Sequence, residues 1–307
     1  MINIDSISIL SELLGCEKPK HPLITVIDFD NINPANIKPG EKYSDTSVTL
    51  DFYVISLKNG PDCDLKYGRQ YYDFSEGSLI FTAPGQELAS GGGRYEGEKT
   101  DGWMLCIHPD LIKGSSLWRK ISEYSFFEYE ANEALHLSDS EKDIIEGLIK
   151  NIKVEYSANL DSYSSELIIS NLEVLLNYAK RFYGRQFITR MAVNKEVVIR
   201  FEMLLKNQCT LEVIERLGQP SVKGIAQAMS YSPNYLSDML KKETGKTVQE
   251  YIKLHVLELA ENLLLTTQEP IYRIAEMLGF DQPSSFTKFI KAQYGVTPID
   301  FRKRHTG

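Results

Sequence analysis

The chain has 307 residues, 42% of them apolar and 25% charged, with a formal net charge of −8. That length is about twice a common domain size and predicts two or three domains, and the composition excludes a disordered chain. No apolar run approaches the roughly 18 residues that a membrane span needs, and the opening MINIDSISILSELLG has no basic leader, so a cytoplasmic protein is expected.

Four cysteines, Cys16, Cys63, Cys106 and Cys209, are scattered without CxxC or CxxH spacing, which argues against a zinc site or a disulfide framework. The charge is also unevenly placed. From Thr210 to Gly307 twelve Lys/Arg stand against eleven Asp/Glu, a net +1; the rest of the chain has twenty-two against thirty-one, a net −9. A nucleic-acid partner is therefore disfavoured by the total but not by the C-terminal third.

In chain order, Leu23 to Glu130 reads as strands. LITVIDF, VTLDFYVISL, QYYDF, SLIFTAP and WMLCIH are β-branched and aromatic runs, broken by NPANIKPG, KNGPDCD, PGQ and ASGGG. This spacing predicts an antiparallel barrel or sandwich. The pattern changes at Ser138-Asp-Ser-Glu141, a capping box opening the amphipathic run DIIEGLIKNIKVEY. A second helix, roughly Ser164 to Arg181, carries Leu167, Ile168, Leu172, Leu175, Leu176 and Ala179 on one stripe. These two helices are candidates for a dimer seam.

The last third repeats itself. Ile225 to Gly245 reads IAQAMSYSPNYLSDMLKKETG, and Ile274 begins IAEMLGFDQPSSFTKFIKAQYG. In each copy a short helix with one apolar face (Val222, Ile225, Ala226, Met229; Ile271, Ile274, Ala275, Leu278) meets a turn and then a Pro at the first position of a second helix. Ser232 is positioned as the N-cap of the first of these. Leu236, Met239 and Leu240 turn inward, leaving Asn234, Tyr235, Ser237, Asp238, Lys241 and Lys242 outward; in the second copy Phe286, Phe289, Ile290 and Tyr294 turn inward. Matched positions lie 49 residues apart before the turn and 50 after it, so the second turn holds one extra residue. Each copy ends at a Gly (Gly245, Gly295) followed by a Thr that caps the next helix, and Val248 to Leu265 forms a linker helix of about 27 Å with Val248, Ile252, Val256, Leu259 and Leu263 on its apolar stripe. Small, amide, hydroxyl and Lys side chains on the outer faces suit base edges and phosphates in a major groove.

On these residues, with YIKLHVLELAENLLL, IYRIAEMLGF and the closing G-x-T-P-x-x-[FY]-R pattern, the segment from Ser221 to Arg304 resembles the DNA-binding domain of the AraC family of bacterial transcription regulators. The resemblance covers a little over a quarter of the chain. It implies two helix-turn-helix units that present their second helices to successive major grooves. Carried over position by position, the base-reading candidates are Asn234, Ser237 and Asp238, then Gln282, Ser284, Ser285, Thr287 and Lys288; Lys241, Lys242, Lys291 and Arg302 are candidates for phosphates. This chain has Asp238 where relatives often carry Arg on the first recognition helix, and Val256 where many have a basic residue in the linker helix. The first unit is therefore expected to bind DNA more weakly than the second.

Leu23 to Tyr129 resembles the cupin-like β-barrel sensor of many family members, on YDFSEGSLIFTAPGQ and on the stretch from His108 to Glu141. Tyr53, Tyr72, Phe81, Arg94 and Trp103 are candidate ligand-binding residues, and Gly91 to Gly93 a candidate flap. His21, His108, His136, His255 and His305 do not cluster in sequence, which argues against a metal-dependent barrel enzyme, and no cofactor is expected.

The expected fold class is α+β multidomain: a cupin-like antiparallel β-barrel sensor over 1–135, a helical dimerisation and linker region over 136–209, and an all-α double helix-turn-helix DNA-binding domain over 210–307. The expected function is a non-enzymatic, homodimeric transcription regulator whose partners are an operator duplex, a small-molecule effector and RNA polymerase. A metal-independent cupin enzyme with a DNA-binding tail, and a constitutive regulator whose barrel only dimerises, remain open alternatives.

Overall fold

The computed structural model describes residues 2–32, 48–59, 77–88, 101–130, 133–157 and 163–306. It divides into two compact units, Met1–Gln186 and Phe187–Gly307. Cys63, Tyr72, Arg94, the run QYYDF and Gly91 to Gly93 lie outside the described residues.

The first unit opens with an element that the strand and helix patterns above do not anticipate. β1 (Ile2–Ile4) leads into α1 (Ile7–Leu13), whose N-cap Ser6 accepts from the Ser8 N–H at 3.2 Å. The run LITVIDF gives β2 (Ile24–Asp28). VTLDFYVISL, expected as one strand, divides at Asp51 and Phe52 into β3 (Val48–Leu50) and β4 (Tyr53–Asn59), which join different sheets. β5 (Ser78–Thr82), β6 (Glu87–Leu88) and β7 (Asp101–Ile107) follow. Two short helices, α2 (Pro109–Ile112) and α3 (Ser116–Lys120), lead towards β8 (Leu135–His136).

The larger sheet has the order β2-β7-β4-β5-β8 and is antiparallel throughout. The smaller, β1-β3-β6, departs from the expected antiparallel pattern. Its β1 and β3 run parallel, with Ile2 opposite Val48 and Ile4 opposite Leu50, a pairing that needs the long connection lying between them. Among the described residues the two sheets share no strand, and no closed barrel is formed.

Register decides what each face of the larger sheet carries, because paired residues project to the same side. Tyr53, Ile55 and Leu57 lie beside Ile107, Leu105 and Trp103, and the same face continues to Leu79 and Phe81 on one side and to Ile24, Val26 and Asp28 on the other. On it, Phe81 meets Phe126 and Phe127 at centroid distances of 4.5 and 5.5 Å, and Tyr53 meets Phe127 at 4.9 Å. The opposite face carries Val54, Met104 and Cys106, which pack with Ile4, Ile7, Leu10, Leu50 and Phe52.

Two helices complete the unit. The predicted capping box is present at α4 (Asp139–Ser157): the Ser138 N–H donates to Glu141 Oε2 at 3.0 Å and the Glu141 N–H to Ser138 Oγ at 3.4 Å. α4 buries Ile145, Ile149, Ile152 and Tyr156. Its Lys153 reaches both Asp28 carboxylate oxygens, at 2.6 and 2.9 Å, and the Tyr156 hydroxyl accepts from the Val26 N–H at 3.1 Å. α5 (Ser164–Thr189) runs beyond the expected Arg181. Ile168, Leu172, Leu175, Leu176 and Ala179 are buried as predicted, but Leu167 is 46% exposed, because the stripe drifts around the helix. Arg185 grips Glu141 through two bonds, 2.8 and 2.9 Å, and donates to His136 O. Next to it, Gln186 Oε1 accepts from the His136 N–H at 2.8 Å while its Nε2 donates to Ala134 O at 3.1 Å.

The second unit is helical: α6 (Met191–Gln208), α7 (Leu211–Leu217), α8 (Val222–Met229), α9 (Pro233–Thr244), α10 (Val248–Thr266), α11 (Ile271–Met277), α12 (Pro283–Tyr294) and α13 (Pro298–Thr306). α10 is the predicted linker helix, opened by a capping box between Thr247 and Glu250. It buries Val248, Ile252, Val256 and Leu263 as expected, and also Leu257, Ala260 and Leu264; Leu259 is only partly covered. Extra burial on a second stripe is what a helix needs when it packs on both sides. Leu257, Ala260, Leu263 and Leu264 form a core with Ile274, Ala275, Leu278, Phe286, Ile290 and Phe301.

Among the described residues no helix is long and apolar enough to cross a membrane, and no group of three or more His, Cys, Asp or Glu is placed to hold a metal ion. Cys16, Cys106 and Cys209 are free thiols, and burial pushes that of Cys209 up to about 11.

Candidate nucleic-acid interface

The interface is built on two turns with the same backbone logic. In the first copy Ser221 caps α8, accepting from the Gly224 N–H at 3.0 Å. After Met229 the chain turns through Ser230, which sits in the left-handed region at φ 62°, and the Tyr231 N–H closes the helix end on Ala226 O at 3.0 Å. In the second copy Gly279 occupies the matched left-handed position at φ 71°, and the Phe280 N–H closes on Ala275 O at 2.9 Å. Both bonds obey the 49-residue offset. The extra residue of the second turn therefore falls after Phe280, where Asp281 and Gln282 stand against Ser232 alone.

Gly279 is required twice over. A Cβ there would lie 3.0 Å from the Gln219 backbone nitrogen, and its φ is one that side chains resist. Gln219 is in turn clasped to the turn, donating from Nε2 to Leu278 O at 2.8 Å. Ser230 holds the same conformation without that crowding, since it is exposed.

The two recognition helices start differently. Ser232 caps α9 as predicted, accepting from the Tyr235 N–H at 3.2 Å, and Pro233 takes the first helical position. Gln282 makes no side-chain cap to α12, which begins at Pro283. Both helices end at a left-handed glycine, Gly245 at φ 79° and Gly295 at φ 74°. The next helices open on Thr247 and Thr297, the latter accepting from the Asp300 N–H at 3.3 Å.

A family model described as a helix-turn-helix domain matches residues 225–304. The regulatory protein SoxS of Escherichia coli (strain K12) is 35% identical over 91 residues, which cover 29% of this chain and 85% of that protein. The chain belongs to the AraC family of transcription regulators. Another family-type relative, the HTH-type transcriptional regulator YobQ of Bacillus subtilis (strain 168), is 37% identical over 90 residues, but the chain spans only 36% of its length. Among solved structures, the C-terminal domain of the two-component response regulator yesN from Fusobacterium nucleatum is 33% identical, covering 33% of this chain and 96% of that one with a TM-score of 0.30. The AraC-family relatives are regulators, in agreement with the expectation that the chain is not an enzyme.

Within this AraC-family domain the site candidates fall into three groups. Gln282, Ser284, Ser285, Lys288 and Lys291 are exposed along α12, and Lys241 and Lys242 along α9. Asn234, Ser237 and Asp238 are half-buried on α9, and Thr287 is half-buried with its hydroxyl turned back to Pro283 O at 3.0 Å. Arg302 forms the third group alone. Its Nε donates to Leu264 O at 3.1 Å and its Nη2 to Glu269 O at 2.8 Å, so it ties α13 to the carboxyl end of α10, a structural part that the sequence reading did not assign.

Two expectations are corrected. Tyr235, read as outward, is 4% exposed; its ring stacks on Tyr231 and meets Phe187 edge-on at 5.3 Å. Val256 is 1% exposed, so a basic residue at this point of α10 would be buried rather than offered to phosphate, and Val256 says nothing about the strength of the first unit. The sequence reading also missed Asn194, Gln219 and Glu243. Their only signal in the sequence is a polar side chain beside an apolar run, and the partners that join Asn194 to Glu243 and Gln219 to Leu278 lie 49 and 59 positions apart.

Of the ligand candidates, Tyr53, Phe81 and Trp103 share the sheet face that carries Phe126 and Phe127. Phe81 and Tyr53 are packed there against Phe127. Trp103 Nε1 is buried and has no hydrogen-bond partner among the described residues.

Proposed function

We propose that the chain is a cytoplasmic, sequence-specific DNA-binding regulator that reads a two-part duplex site with α9 and α12, and that its first unit is a barrel-type sensor controlling this reading. The observation that carries the DNA reading is the pair of matched turns, each delivering a Pro-initiated helix with polar and Lys side chains on its exposed face. Two such helices on one duplex contact major grooves about one helical turn apart, roughly 10 to 10.5 bp. Both belong to one chain, so a single copy suffices for both contacts.

The sensing role is supported by Trp103. Its buried indole N–H has no acceptor among the described residues, which is costly, and a polar ligand atom would relieve that cost. Homodimerisation over 136–209 is supported by apolar side chains left exposed on the two helices of the first unit, Val154 on α4 and Leu167 and Val174 on α5. In this mechanism an effector prefers one arrangement of the sensor and so changes the affinity for half-sites of a given spacing.

Selection of duplexes from a random pool by the full chain tests the DNA reading. The expected product is a bipartite motif with the two parts centred about one turn apart; a pool that shows no enrichment removes the proposal. For the sensor, a metabolite recovered by native mass spectrometry should change the preferred half-site spacing. Unchanged affinity for every spacing with and without it would leave the first unit as a dimerising scaffold.

A further inference from the structure

The first recognition helix is fastened in a way that the repeat does not explain. Phe187, the first residue of the second unit, lies in the last turn of α5, and the chain breaks at Arg190 (φ −93°, ψ 17°) before α6 begins. The final carbonyls of a helix have no partner within it. Phe187 O is one of these, and Asn194 Nδ2 donates to it at 2.7 Å. The same Nδ2 donates to Glu243 Oε1, on the last turn of α9, at 2.8 Å. A side-chain amide nitrogen has two hydrogens, so both are committed. Asn194 is 4% exposed, and its bond to Phe187 O is buried away from water, while the one to Glu243 is half-buried.

The Phe187 ring grips the other end of the same helix. It meets Tyr235 edge-on, and Tyr235 stacks on Tyr231 of the turn at 5.5 Å and 15°. The first eight residues of the second unit thus hold α9 near its start, at Tyr235, and near its finish, at Glu243. In the second copy the matched positions, 50 residues on, are Ser285 and Gln293, and both are exposed. α12 is instead held by α10 and α13, through Tyr294, whose hydroxyl donates to Glu261 at 3.2 Å and whose ring lies 4.5 Å from that of Phe301.

From this asymmetry we infer that Asn194, together with Phe187, is a positioning device for the first recognition helix alone, making the reading of one half-site depend on how the chain enters the second unit. The inference rests on the DNA reading proposed above only in its last clause. A displacement at the end of α5 is delivered to α9 through two fixed contacts, whereas the contacts of Tyr294 that hold α12, with Glu261 and Phe301, do not involve the entering segment. Regulation of this chain then acts on one half-site and leaves the other as a constant anchor.

Hydrogen–deuterium exchange of the full chain without DNA tests the device directly, reading peptides from 233–244 and 283–294. Asn194→Ala removes both bonds; Glu243→Ala removes only the one to α9 and leaves the Phe187 carbonyl satisfied, so it serves where the first variant folds poorly. Both variants are expected to speed exchange in α9 by about five-fold or more while α12 stays within about two-fold. Unchanged exchange in α9, or an equal rise in both helices, overturns the inference. On a duplex selected by the wild-type chain, Asn194→Ala is expected to weaken binding about five-fold, and less than about two-fold when the first half-site is scrambled; equal losses on both duplexes overturn it as well. A chain with the α9-selective exchange that binds no duplex supports the positioning device and defeats the DNA reading.

Discussion

The two helix-turn-helix copies share a backbone and almost nothing of what secures it. In the first, a serine holds the left-handed turn, Ser232 caps the recognition helix, and the entering segment clamps that helix at both ends. In the second, Gly279 makes the turn, no side chain caps the helix, and the support comes from α10 and α13 through Tyr294 and Arg302. The comparison teaches that a repeated sequence grammar specifies a shape, while the energy holding that shape is free to come from different neighbours. Once the supports differ, the two copies respond differently to the same disturbance.

The largest expected break in this comparison is in the cores. Phe286 and its counterpart Leu236 are both fully buried. Phe286→Ala should cost about 3–5 kcal/mol and Leu236→Ala about 2–5 kcal/mol, in denaturant unfolding followed by circular dichroism. A larger loss at Leu236 would make the first copy the tighter one. Next comes Arg302→Ala, which strands the carbonyls of Leu264 and Glu269. It should cost about 1–3 kcal/mol and raise exchange in α12 but not in α9; a rise confined to α9 would contradict the division of supports.

A smaller effect is expected on DNA. Lys288→Ala should weaken binding to a selected duplex more than Lys241→Ala, because Asp238 offsets the lysines of α9, and each lost phosphate contact should reduce the slope of log affinity against log salt by about 0.9. The reverse ranking would place the main anchor in the first copy. The smallest change sharpens the turns: Ser230→Gly should stabilise the chain by up to about 1 kcal/mol, since the side chain there is exposed and its φ unfavourable. A loss of stability would mean that Ser230 makes a contact worth more than its strain.

Much of this was legible in the sequence. Both capping boxes follow from a short-range rule in which a side chain satisfies a backbone group three positions away, the bounds of the recognition helices from a Pro at the start and a Gly at the end, and the extra residue in the second turn from the offset between the copies. Features set by distant partners were not legible. Tyr235 has the spacing of an outward residue, yet it is buried, with the ring of Phe187, 48 positions earlier, edge-on against it. Arg302, a candidate for phosphate, also ties α13 to the end of α10, and nothing beside it in the sequence names those partners, 38 and 33 positions earlier. Nothing near Tyr53, Phe81 and Trp103 in the sequence says that they share one sheet face or that this face carries Phe126 and Phe127.

Among the described residues, the outermost strands of the larger sheet in the first unit are β2 and β8. Each outer strand normally presents backbone groups that can recruit a strand from another molecule. Here the Val26 N–H of β2 is taken by the Tyr156 hydroxyl, and the His136 N–H of β8 by the Gln186 amide, which also engages the adjoining Ala134 carbonyl. Side chains from two different helices thus stand where a neighbouring strand would pair at these positions, which disfavours growth of the sheet by self-addition into aggregates.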